Sequence, residues 1–104
     1  MNFNEFHYSN VARSNDVLKF YGDSTNWTLA DWACAAIGEL GEACNKIKKI
    51  RRGQEIPIDS VMDELADTFI YMDLLAGFLG KNFEEALIRK FNEVSDRVGS
   101  SVYL

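Results

Sequence analysis

From Leu29 to Ile47 the apolar positions recur three and four residues apart, at Leu29, Ala33, Ala36, Ile37, Leu40, Ala43, Cys44 and Ile47. At about 100° per residue these fall on one side of a helix. Ile58, Val61, Met62, Leu65, Phe69, Met72, Ala76 and Leu79 form a second stripe of the same kind. No stretch alternates strictly between apolar and polar, as a half-buried strand would. Turn-forming residues divide the chain at Tyr21-Gly22-Asp23-Ser24, Gly53 to Pro57, Gly80-Lys81-Asn82 and Gly99-Ser100-Ser101. The pattern predicts four helices: one within 4–21, then about 28–52, about 59–79 and about 83–98. The fold class is all-α, a four-helix bundle whose short connections make neighbouring helices antiparallel.

End signals sharpen these limits. Thr28 suits an N-cap, with Asp31 three residues on as its acidic partner. The third helix opens at Asp59 or Ser60. Asn82 and Glu85 have capping-box spacing at the start of the fourth. Lys46, Lys48, Lys49, Arg51 and Arg52 crowd the end of the second helix, where cations suit the helix dipole, and Gly53 follows as a C-cap.

The polar positions carry the chemistry. Glu39 and Glu42 lie roughly 100° and 160° from Leu40 on the wheel. Trp32 and Ala35 precede them on that line and Lys46 continues it. Glu64 and Asp67 stand in the same relation to Leu65, and their line continues through Tyr71, Leu74, Leu75 and Phe78. Each helix thus has a second face that is carboxylate at one end and apolar at the other. Two antiparallel helices could bring the four carboxylates together, where they would repel unless a cation lay among them. Oxygen-only ligation favours a hard cation, Mg²⁺ or in its place Mn²⁺. With one histidine, His7, a di-iron site built on two Glu-x-x-His motifs is excluded, as is a zinc site of several His and Cys ligands. The plain alternative is two solvated Glu-x-x-Glu-type pairs. Gly38 and Gly41 each cost a helix up to about 1 kcal/mol relative to alanine. They leave room for a ligand or a neighbouring helix to come close.

Composition narrows the classes. The 104 residues are 47% hydrophobic, enough for one domain, 1–104, with a core. A chain this short gains from oligomerisation. The net charge is −5, from 16 acidic and 11 basic residues, which argues against a general nucleic-acid binder. Cys34 and Cys44 would lie about 15 Å apart along one helix, too far for a bridge. They read as buried thiols of a reducing compartment. The longest apolar run, Phe69 to Leu79, is interrupted by Asp73 and too short to span a bilayer. The expectation is a cytoplasmic protein with no membrane partner.

"GELGEACNKIKK" followed by "DELADTFIYMDLLA" resembles the MazG-like all-α nucleoside triphosphate pyrophosphohydrolases, whose signature is Glu-x-x-Glu on one helix and Glu-x-x-Asp on the next. "LIRKFNEVSDRVGS" resembles their closing helix, so the likeness covers roughly Trp27 to Gly99. The resemblance implies hydrolysis of nucleoside triphosphates between the α and β phosphates, giving monophosphate and pyrophosphate. It implies Mg²⁺ held by Glu39, Glu42, Glu64 and Asp67; on mechanistic grounds Glu39 or Glu42 is the catalytic base, since the first motif is placed to orient the water. It implies a homodimer or homotetramer sharing its helix bundle. It places Lys90, Asn92 and Arg97 at the phosphates, Tyr71 in the nucleotide pocket, and Trp27 and Trp32 against the base. Many members have Glu-Glu-x-x-Glu in the first motif; here Gly38 takes the first acidic place, while Asp63 precedes Glu64. The alternative function is a nucleotide-binding regulatory or interaction module with the same fold.

Plainer roles compete at several positions. Trp27 suits a hydrophobic staple before the second helix, Trp32 a subunit interface and Tyr71 the core. Lys90 and Arg97 suit an exposed helix end. His7, Asn10 and Arg13, at helical spacing, belong either to a solvated face or to the mouth of the pocket.

Overall fold

The computed structural model describes residues 1–21 and 27–104, with the side chains of 17–21 left aside. The turn expected at Tyr21 to Ser24 lies largely outside the described residues. There are four helices: α1 (Phe3–Tyr21), α2 (Leu29–Arg51), α3 (Ile58–Phe78) and α4 (Phe83–Val98). Among the described residues there is no strand, and no helix is long and apolar enough to cross a membrane.

Local chemistry accounts for the limits. Thr28 and Asp31 form the reciprocal capping box that the spacing predicts, with Thr28 Oγ1 accepting from Asp31 N at 3.2 Å and Asp31 Oδ2 accepting from Thr28 N at 2.8 Å. Asn82 Oδ1 accepts from the main chain of Glu84 and Glu85 and caps α4. Gly53, Gly80 and Gly99 take left-handed φ values of 88°, 71° and 72° just beyond the helix ends, where a side chain would be strained. The start of α3 differs from expectation. It begins at Ile58 with Pro57 before it, and Ser60 Oγ donates back to Pro57 O at 2.7 Å. Proline's fixed φ and missing N–H suit a helix start better than either candidate side chain.

α2 and α3 form an antiparallel hairpin. Lys46 meets Ser60 and Glu64, while Trp32 meets Tyr71 and Phe78, so partners on α3 move forward as those on α2 move back. α1 lies on α3, with Phe3 and Phe6 against Phe69. α4 meets α3 through Phe83, whose ring stands edge-on to Phe69.

The hairpin closes along the edge where stripe and carboxylate-bearing face meet: Trp32 and Leu74 come from the second faces, Ala36, Ala43 and Val61 from the stripes. Trp32, Ala36, Ala43, Val61 and Leu74 are buried. Nine large side chains of the stripes, from Leu29, Ile37, Leu40 and Ile47 to Ile58, Met62, Leu65, Met72 and Leu79, remain 37–68% exposed. The expected buried thiols are likewise exposed, at Cys34 and Cys44. Nor does anything among the described residues lie within 4 Å of a Cβ built on Gly38 or Gly41. The open side of these glycines is therefore outside the hairpin. The radius of gyration, 16.5 Å, exceeds the roughly 13 Å of a compact chain of this length.

Candidate metal centre and adjoining cavity

Glu39 on α2 faces Glu64 and Asp67 on α3, and one carboxylate oxygen from each lies within 4.8 Å of the others. The offsets of three within each helix put both members of a pair on one face, and the antiparallel hairpin sets the pairs against each other. Glu42, one turn beyond Glu39, also reaches Glu64. Asp63 is exposed and outside the three-carboxylate cluster.

The electrostatics are those of a site with too much negative charge. The hydrogen bond that a protonated Glu39 donates to Glu64, then burial, then repulsion from Glu42, Glu64 and Asp67 push the Glu39 carboxyl up to about 7. Glu42 is raised for the same reasons, led by its hydrogen bond to Glu64. Glu64 is the acceptor of the cluster. Lys46 first, then Glu39 and Glu42, hold it below the usual carboxylate range. Lys46 Nζ sits 2.9 Å from Glu64 Oε1 and 3.1 Å from Ser60 O. With Glu39 and Glu42 ionised, the second oxygen, Glu64 Oε2, is buried with no hydrogen-bond partner among the described residues. An orphaned carboxylate oxygen costs free energy. An oxygen-liganded cation would remove that cost and the proton sharing together, so these residues fit Mg²⁺ or Mn²⁺.

Glu39 and Asp67 also form part of the wall of a cavity of about 410 Å³. Trp27, Trp32 and Tyr71 line it as well. Trp32 is the hub: its ring centroid is 4.7 Å from Trp27, 5.1 Å from Phe78 and 6.1 Å from Tyr71. Aromatic walls beside carboxylates suit a flat ring carrying an anionic, cation-bound tail.

The other three expected substrate contacts lie elsewhere. Lys90 bonds Glu93 at 2.9 Å on the exposed surface of α4. Asn92 is engaged by the main chain of Leu104 through both ends of its amide, at 2.8 and 3.2 Å. Arg97 is exposed near the end of the same helix. Within one chain none of the three lines the cavity. Sequence spacing places residues on a helix face but does not aim the helix.

In their place α1 supplies Asn10, Arg13 and Ser14 to the cavity wall. Asn10 is buried, and its Nδ2 donates to Ile70 O and to Asp73 Oδ2, both at 3.0 Å. Asp73 is buried too and accepts from His7 Nδ1 at 3.0 Å. The signal for this network was Asp73 itself, a lone charge inside the apolar run from Phe69 to Leu79. A carboxylate there demands partners, and His7 and Asn10, three residues apart, are spaced to provide them.

Compared with protein-family models, with curated proteins and with solved structures, the chain matches none.

Proposed function

We propose that this protein is a magnesium-dependent nucleoside triphosphate pyrophosphohydrolase of MazG-like fold, cleaving the α–β bond of ribo- or deoxyribonucleotides. The observation that carries the reading is the juxtaposition of the acidic cluster, with its orphaned Glu64 Oε2, and the aromatic cavity that Glu39 and Asp67 also line. Glu39, Glu64 and Asp67 would hold the cation, with Glu42 beside them. A bound divalent cation supplies neutralisation of the polyphosphate charge and polarises the phosphoryl group.

The chain's own residues supply the rest. Trp27, Trp32 and Tyr71 seat the base. Glu42, outside the closest three carboxylates, takes a proton from water as its oxygen bonds to the α phosphorus. The bond from that phosphorus to the bridging oxygen breaks, and pyrophosphate leaves with the electron pair.

The outward apolar stripes support self-association. At roughly 200 Å² per large side chain, their exposed parts present on the order of 900 Å² of apolar surface. One partner contributes roughly 800 Å² to a standard interface. The bare backbone at Gly38 and Gly41 would let a second copy approach closely, so a homodimer or homotetramer completes the bundle.

The test is product analysis with Mg²⁺ across canonical and modified nucleoside triphosphates. Monophosphate plus pyrophosphate, lost in Glu42→Gln and Asp67→Asn, is the expected result. Absence of turnover across the panel at high protein and metal concentration would overturn the enzyme reading. A second reading, a nucleotide-binding regulatory module, is favoured by Lys46, which already occupies one Glu64 oxygen. Binding without turnover would select it.

A further inference from the structure

We infer that Arg13 is the residue that grips the phosphates of the ligand, and that the His7–Asp73–Asn10 network is what holds it in place. The inference rests on the nucleotide reading above and adds to it a phosphate contact from α1.

A polyphosphate beside a carboxylate-held cation still carries negative charge that a fixed cationic group must meet. The basic residues of α4 are spent or remote: Arg89 and Lys90 both pair with Glu93. Lys46 is tied to Glu64 and Ser60. Among the described residues Arg13 is the one Lys or Arg that lines the cavity, and it makes no ion pair with Glu39 or Asp67 although they share its wall. Arg13 is exposed and shares the cavity wall with those carboxylates. Its planar fork matches two phosphate oxygens at once, which an ammonium does not.

The placement of Arg13 is built. Asp73 and Asn10 are each only 4% exposed. Ile70 O can only accept a hydrogen bond, so the Asn10 amide has one orientation and α1 one register against α3. His7, one turn before Asn10, is tied to the same Asp73. Room for its ring is made at Gly77, where a Cβ would stand 3.1 Å from His7 Cε1. Arg13, one turn after Asn10, follows on the same side of the helix. His7, Asp73 and Asn10 are thus positioning residues, and Arg13 touches the ligand.

The experiment measures binding of α,β-methylene triphosphate analogues of the four bases with Mg²⁺, and of the corresponding uncharged nucleosides. It compares wild type, Arg13→Ala, Arg13→Lys, Asp73→Asn and the double variant Arg13→Ala/Asp73→Asn. Arg13→Ala weakens the triphosphate analogue on the order of ten- to a hundredfold and leaves the nucleoside and Mg²⁺ alone unchanged. Arg13→Lys recovers part of the loss. Asp73→Asn weakens the triphosphate analogue alone, and the double variant binds no worse than Arg13→Ala. Triphosphate binding unchanged in Arg13→Ala, or lost equally with nucleoside binding, overturns the assignment of Arg13. Additive losses in the double variant, or loss of Mg²⁺ binding in Asp73→Asn, overturn the positioning role. If wild type binds none of the analogues, the nucleotide reading fails and takes this inference with it.

Discussion

Mg²⁺ uptake should be coupled to the release of a proton. Without a cation Glu39 holds its proton up to about pH 7, because it donates to Glu64 and is surrounded by Glu42, Glu64 and Asp67. A cation binds the deprotonated cluster, so proton and metal compete. With a single group titrating near 7, the apparent affinity is reduced about elevenfold at pH 6, about twofold at pH 7 and about 1.1-fold at pH 8. Between pH 8 and pH 6 the loss is therefore about tenfold. Glu42, raised in the same direction, makes the fall steeper. Isothermal titration in two buffers of different ionisation enthalpy reads both the affinity and the protons displaced. Release should be about 0.9 proton per ion at pH 6 and about 0.1 at pH 8. Glu39→Gln should bind more weakly and with a flatter pH dependence. Equal affinity at pH 6 and pH 8 with no proton released would refute the shared-proton description of the cluster. The same shift has a consequence for the metal-free protein. A raised carboxyl means that the folded state binds more protons than the unfolded one from about pH 4.5 to about pH 7. Its thermal stability should therefore fall as pH rises through that window, and Mg²⁺ should restore it.

Four other outcomes follow from the geometry. Lys46→Met takes away the cation paired with Glu64, so metal-free stability should drop by about 1–3 kcal/mol in urea unfolding, with much of the loss returned by Mg²⁺. Trp32→Ala empties the hub of the aromatic cluster and should cost about 3–5 kcal/mol, while Trp32→Phe should cost less. Thr28→Ala breaks the capping box of α2 and should lower stability by about 1 kcal/mol. Ile37→Glu combined with Met62→Glu charges the outward stripes; light scattering should then find single chains where the wild type self-associates, and an unchanged mass would refute that use of the face.

The helices, the N-caps of α2 and α4 and the pairing of acidic positions were legible because each depends on neighbours in sequence. Thr28 finds Asp31 three residues away, and Glu39 and Glu42 share a face because three residues are close to one turn. The face on which the hairpin closes was not legible. Both α2 and α3 have two apolar-bearing sides, and periodicity marks a side without naming its neighbour. The large members of the more regular stripes turned out to face outward, while Ala36, Ala43 and Val61 of the same stripes face inward. That Lys90, Asn92 and Arg97 do not line the cavity within one chain has the same cause: α4 touches α3 at Phe83, and no local pattern sets that direction.

By itself the sequence determined an all-helical chain of four segments, the ends of most of them, and a pair of acidic motifs able to meet across two helices. These follow from hydrogen bonding and side-chain spacing within one or two turns. Only the tertiary structure decided which carboxylates converge, that Glu64 has one oxygen on Lys46's side and one buried without a partner, and that α1 supplies Arg13 to the cavity. Those facts depend on contacts between residues as far apart as His7 and Asp73. The free energy of such contacts belongs to the packed arrangement of whole helices, which no short window of sequence contains.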